Sequence, residues 1–230
     1  MSSASNRILM VLTSNAQQGE NGEPTGAYLP EVSHPYEIFT KAGYAVDFVS
    51  PQGGRPPFYG VDKPDATSRA FLDDKAIQAQ LDTTLRPEDI DPASYAAIFY
   101  AGGHGTMWDF PDHERLASIA SQIDAKGGVV SAVCHGPAGL INVKRADGSY
   151  LVADRDVAAF TNEEETAAGL DKVVPFLLAD ALTQRGARHQ PAGKWQPKVV
   201  VSDRLVTGQN PASARGVAEA VVATLQQPAT

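Results

Sequence analysis

The sequence predicts an α/β fold in which a mostly parallel sheet carries helices on both faces. Three observations point there. Apolar runs rich in β-branched residues alternate with amphipathic stretches along the 230 residues. The runs are apolar almost throughout rather than at alternate positions, as strands buried on both faces must be. Apolar residues make up 43% of the chain, which is enough to fill a core and excludes a disordered or fibrous polymer.

The elements follow in order. Arg7–Thr13 reads as a buried strand, and so do Ala45–Val49, Tyr95–Tyr100 and Gly128–Val133. Two further strands are expected at Asp156–Phe160 and Lys198–Val201. Helical periodicity marks Val32–Ala42, Asp112–Ala125, His135–Asn142, Leu170–Arg185 and Pro211–Leu225. Gly43 and Gly127 stand where helix C-terminal caps are expected. Asn15–Pro30 reads as a long Gly-rich loop straight after the first strand, and Ser50–Asp74 as a Pro- and Gly-rich excursion. At about 150 residues per domain, the length predicts a single domain over 1–230 with that excursion near 50–74.

Composition bounds the function. Lys and Arg number 19 against 27 Asp and Glu, a net charge of −8 with no basic cluster, which argues against a nucleic acid or an anionic membrane as partner. The first apolar run, Ile8–Leu12, is five residues, so no signal peptide or spanning segment is expected. A lone cysteine, Cys134, allows no intrachain disulfide and suits a reducing cytoplasm. The five histidines form no HExxH spacing, and no CxxC, P-loop or GxGxxG is present, so neither a metal nor a nucleotide cofactor is expected.

In an open parallel sheet, ligands bind beyond the carboxyl ends of the strands. The loop after the first strand, Ala101–Asp109 and Cys134 all fall at that edge. Around Cys134 the strand stops and a helix is expected, with Ala132 two residues before and Gly136 two after. Small residues at those offsets are what a nucleophile elbow requires, because the tight turn leaves no room for larger neighbours. The turn would expose the sulfur, and the first helical N–H groups would stabilise its thiolate. A free cysteine can equally be a small buried hydrophobe. His135 could take and return the thiol proton, or merely cap a helix. Gly102 and Gly103 could bring backbone N–H groups to an oxyanion, or simply make a tight strand exit. His104 is a candidate substrate contact, with a solvent-facing loop histidine as the plainer reading. Glu31 reads as a first-turn glutamate that favours a helix dipole, and Asn162–Glu165 as an acidic helix start.

Together these residues resemble a known family. Ala132-Val-Cys-His-Gly-Pro-Ala138, with Ala101-Gly-Gly-His-Gly-Thr-Met-Trp-Asp109, is similar to the ThiJ/PfpI superfamily and its class I glutamine-amidotransferase-like fold, a flavodoxin-like three-layer sandwich. Thr25–Pro35, Phe160–Glu165 and Leu205–Ala214 resemble the heat-shock-protein-31-like subgroup, the glutathione-independent glyoxalases of the glyoxalase III type. The resemblance runs from about Arg7 to Leu225.

It implies Cys134 as nucleophile, His135 as acid/base, Glu165 as third triad member with Glu164 as the competing choice, and Glu31 as hydrogen-bond partner of the sulfur. Backbone N–H groups of Gly103 and His135 would form the oxyanion site. The implied activity is cofactor-free conversion of the dicarbonyl methylglyoxal to lactate, a lyase of the D-lactate dehydratase class, with protein deglycation as a related activity. A homodimer with a stress role is implied as well. A hydrolase or hydratase on the same elbow, or a redox-sensing chaperone, are the competing readings. For Glu31 to donate to sulfur it must be protonated, so burial has to outweigh the helix N-terminus.

Overall fold

The computed structural model describes residues 6–228. The chain begins with β1 (Arg7–Val11), then short strands β2 (Gln17–Gln18), β3 (Glu23–Pro24) and β4 (Ala27–Tyr28), and helix α1 (Pro30–Lys41). β5 (Ala45–Val49) and β6 (Phe58–Tyr59) precede α2 (Ala66–Asp73) and α3 (Lys75–Asp82). Next come β7 (Ala97–Tyr100), α4 (Thr106–Asp109), α5 (Glu114–Ala125) and β8 (Val129–Val133). The last third holds β9 (Asp156–Val157), α6 (Asn162–Ala168), α7 (Leu178–Gln184) and β10 (Arg188–His189). It closes with β11 (Val199–Ser202), β12 (Leu205–Gly208) and α8 (Ala214–Leu225).

Six strands form the main sheet in the order β11-β12-β8-β7-β1-β5. Every neighbouring pair is parallel except β11 on β12. The period-2 alternation of side chains divides the core into two layers. Leu9 and Val11 of β1, Ile98 and Tyr100 of β7 and Val130 and Ala132 of β8 face one cluster with α5. Ile8 and Met10, Ala97 and Phe99, and Val129 and Val133 face the other, with α1 and α8. Both faces are therefore buried, which is why these strands read as continuous apolar runs.

The expected α/β architecture is present, with several local corrections. Asp156–Phe160 supplies only the two-residue β9, which pairs with β10 outside the main sheet. The sixth position beside β8 belongs instead to β12, four buried residues Leu-Val-Thr-Gly whose polar half hides the strand pattern. The helix expected over His135–Asn142 is a five-residue 3-10 turn, Gly136–Leu140, since Pro137 and Gly139 interrupt anything longer. Leu170–Arg185 narrows to α7, since Pro175 has no N–H for the helix ladder and its ring disfavours a helical turn before it. The Ser50–Asp74 excursion ends in a helix, α2, whose N-cap Asp65 accepts from Ser68 N–H. Among the described residues, no helix is long and apolar enough to cross a membrane.

The sheet sets the position of the site. β1, β7 and β8 run parallel, so the segments that leave Val11, Tyr100 and Val133 emerge at one edge. Over that edge β4 pairs with β6, and Tyr28 N–H donates to Gly102 O at 3.2 Å. The two Pro- and Gly-rich segments thus meet each other above the Gly102–Gly103 turn.

Candidate active site

Cys134 occupies the elbow at the end of β8 with φ +59°, left-handed backbone that non-glycine residues seldom adopt. The turn is held by Cys134 N–H to Gly208 O at 2.9 Å and by Phe160 N–H to Cys134 O at 3.0 Å. A β-carbon on Gly136 would stand 2.2 Å from Tyr100 O, so the small residue after the cysteine is a packing requirement.

Its chemistry begins with one row of hydrogen bonds. Cys134 Sγ lies 3.3 Å from His135 Nδ1, and His135 Nε2 lies 2.6 Å from Glu165 Oε2. The other carboxylate oxygen, Glu165 Oε1, is 2.8 Å from His104 Nε2. Burial pushes the Glu165 carboxyl up, but bonds from His104 and His135 and their charge more than offset it, leaving a pKa of about 2. An ionised Glu165 accepts only, so His135 carries its proton on Nε2 and turns the Nδ1 lone pair toward the sulfur. Burial, with His104 alongside, lowers the His135 pKa to about 4 against the pull of Glu165. The imidazole is therefore a neutral base at neutral pH.

Glu164 faces away from this row. Its Oε2 accepts from Thr161 N–H and Oγ1, and its Oε1 from Trp195 N–H, Gln209 Nε2 and Asn210 Nδ2. Those bonds close a capping box on α6, whose next residue is then aimed at the histidines. Of the two competing glutamates, Glu165 is the one that reaches His135.

Glu31 sits in the first turn of α1 with no exposed surface. A β-carbon on Gly102 would be 2.2 Å from Glu31 Oε2 and 2.8 Å from Cys134 Cβ, so glycine is what lets the carboxyl approach the cysteine. Neither Glu31 oxygen makes a well-formed hydrogen bond, and the polar group they face is the Cys134 thiol. Burial raises the Glu31 pKa to about 8, so the group is protonated at neutral pH. Burial therefore outweighs the helix N-terminus here.

The thiol itself departs from the sequence expectation. Cys134 is 3% exposed, and burial, together with any charge on Glu31, pushes its pKa up; only the N–H groups of Gly103 and His135 draw it down. Helix-dipole activation is not available from a 3-10 turn of five residues. The proton must be removed by His135 rather than shed in advance. The Gly103 and His135 N–H groups, expected to face an oxyanion, act on the thiol in this state by drawing its pKa down.

His104 also differs from its plainer reading. It is not a free loop side chain: its ring centroid is 4.0 Å from that of His135, and its side chain is 12% exposed. Three residues now in the site carried no signal of their own in the sequence. Phe160 packs its ring 4.3 Å from His135, Trp195 lies 5.7 Å beyond it, and Tyr59 of β6 packs in a tilted pair 5.0 Å from Tyr28 near Cys134 and Glu31. His104, His135 and Glu165 offer ligand atoms within 4.8 Å of one another, a set that could hold a metal ion. Sequence spacing could not reveal it, because the three come from separate segments, with Glu165 in α6 and the two histidines after β7 and β8. In the geometry described, the carboxylate is already shared between two imidazole N–H groups.

Comparison with known proteins follows the same lines. The DJ-1/PfpI family model matches residues 25–224. The chain is 36% identical to the glutathione-independent glyoxalase HSP31 of Saccharomyces cerevisiae, covering 94% of this chain and 96% of that protein. It is 33% identical to glyoxalase 3 of Candida albicans, over 96% and 98% of the two chains. Among solved structures, the crystal structure of glyoxalase III from Candida albicans superposes with a TM-score of 0.87 at 31% identity, covering 95% and 96%. The Rapid Encystment Protein 24 KDa of Francisella tularensis superposes at 0.93 with 39% identity, covering 96% and 99%.

Proposed function

This chain belongs to the DJ-1/PfpI family, and from that membership and the site geometry we propose that it is a glutathione-independent glyoxalase converting methylglyoxal to lactate. The observation that carries the reading is the row from Cys134 Sγ through His135 to Glu165, with a protonated Glu31 beneath the sulfur.

His135 Nδ1 takes the thiol proton as sulfur attacks the aldehyde carbon and passes it to the alkoxide oxygen, forming a hemithioacetal and leaving His135 neutral. Glu31 donates a hydrogen bond to sulfur without placing a second negative charge beside it. His135 then moves a proton from the former aldehyde carbon to the neighbouring carbon through an enediol, leaving a lactoyl thioester on Cys134. The aldehyde carbon is oxidised and the ketone carbon reduced within one molecule, so no redox cofactor is consumed. Water cleaves the thioester and lactate departs.

The test is lactate formation from methylglyoxal without glutathione or added metal. Wild type turns over, and a chelator leaves its rate unchanged. Cys134→Ala loses activity by about 10³-fold or more, because the covalent route disappears. Full turnover by Cys134→Ala would overturn the assignment.

A further inference from the structure

The proposed route takes a proton from the thiol at one moment and from the water that cleaves the thioester at another. His135 Nδ1 is committed to the sulfur at 3.3 Å. His104 is bound to the same carboxylate through Nε2, at 2.8 Å from Glu165 Oε1. A neutral imidazole that donates from Nε2 keeps its lone pair on Nδ1. Among the described residues, His104 Nδ1 has no hydrogen-bond partner, and it is not sealed from solvent. The histidine directly follows Gly103, whose N–H helps to lower the thiol pKa, and its ring lies 4.0 Å from His135. One glutamate thus orients two bases, one turned to the nucleophile and one turned to the open side of the site.

Resting on the glyoxalase reading, we propose that His104 is the general base of the hydrolytic half-reaction. Its Nδ1 takes a proton from water as the water oxygen attacks the lactoyl carbonyl. The carbon–oxygen bond forms, the carbon–sulfur bond breaks, and the electron pair leaves on Cys134 sulfur. The proton on His104 reprotonates the sulfur through solvent, and the second water proton is released as lactic acid ionises. His135 serves the first half and His104 the second.

The variant of choice is His104→Gln, whose side-chain amide can still donate to Glu165. Expected is a drop in kcat of about a hundredfold or more, the usual share of a general base, with a stoichiometric first turnover retained. Intact-mass measurement during turnover then shows a lactoyl adduct on Cys134, absent in wild type at steady state. Hydroxylamine, which attacks thioesters without base assistance, restores release as lactohydroxamate. Slow turnover without adduct means that His104 only steadies Glu165, and unchanged turnover means that it does neither; each overturns the proposal. Should His104→Gln fold poorly, His104→Asn and rapid-quench analysis of wild type with hydroxylamine read the same step. If Cys134→Ala keeps full turnover, the glyoxalase reading and this proposal fall together. A dead Cys134→Ala beside a His104→Gln that accumulates no adduct sinks the proposal alone.

Discussion

At the scale of single residues, the site depends on two glutamates held in opposite protonation states. Glu165 is near 2 because two imidazoles bond to it, and Glu31 near 8 because burial raises it by more than the neighbouring thiol lowers it. In the proposed mechanism the active form has Glu31 protonated and His135 neutral, with a pKa near 4. The pH profile of kcat/KM should therefore plateau between about 4 and 8, falling below as His135 charges and above as Glu31 ionises. Glu31→Gln keeps a donor beneath the sulfur but cannot ionise, so its alkaline limb should move upward or vanish. An unmoved limb would show that Glu31 is not the group responsible. Cys134, His135, Glu165 and Glu31 were all legible in the sequence, but unequally. The first two stand in a local pattern of small residues whose steric purpose is explicit, whereas Glu31 and Glu165 look like ordinary first-turn acids until the fold brings them to the cysteine. His104 reads as a candidate substrate contact or a loop histidine, and neither reading shows its bond to Glu165, because a partner 61 residues away leaves no trace in local spacing.

At the scale of elements, the strands that flank the site were readable and the connections were not. β1, β7 and β8 are near-continuous apolar runs buried on both faces, and β5, at the sheet edge, keeps Val46, Phe48 and Val49 buried around Asp47. β12 escaped because four residues containing Thr and Gly carry no period, although its Gly208 O holds the elbow. α2 and α3 lie in or beside the Pro- and Gly-rich stretch, yet each opens on an aspartate that accepts N–H bonds from the first turn. An aspartate at that position is a helix-start signal in its own right, whatever the prolines nearby. The elbow itself permits a direct test. Gly136→Ala places a methyl 2.2 Å from Tyr100 O, against backbone that cannot swing aside. It should cost about 1–3 kcal/mol in urea unfolding and depress activity more than stability, since the turn must open and carry Cys134 away from His135. Gly193→Ala, whose nearest contact would be Gln196 Cγ at 3.7 Å, is the neutral comparison. Equal effects from the two substitutions would remove the steric argument.

Across the whole molecule, the arrangement that serves catalysis opposes stability, and the opposition has a definite pH dependence. Glu31 has an ordinary value of 4.5 in the unfolded chain and about 8 in the fold. Between those values the folded state keeps a proton that the unfolded state has lost, so rising pH favours unfolding throughout that window. The slope is about 1.4 kcal/mol per pH unit for one such proton. Glu165 acts in the reverse sense: its pKa falls from 4.5 to about 2 on folding, so it stabilises above the unfolded value and that contribution is lost as pH drops through the folded one. The two windows meet near 4.5 and scarcely overlap, so they can be read separately. Urea unfolding of wild type and Glu31→Gln, measured from about pH 5 to pH 8, isolates the first, because every other titrating group is common to both proteins. An amide buried without partners adds a constant offset of either sign, which leaves the slope as the decisive quantity. The stability difference should move in favour of the variant by about 1.4 kcal/mol for each unit of pH and level off above the folded value. A difference that stays flat across the window would mean that Glu31 is ionised in the native protein, and a carboxylate beneath the sulfur would then repel the thiolate that the chemistry requires.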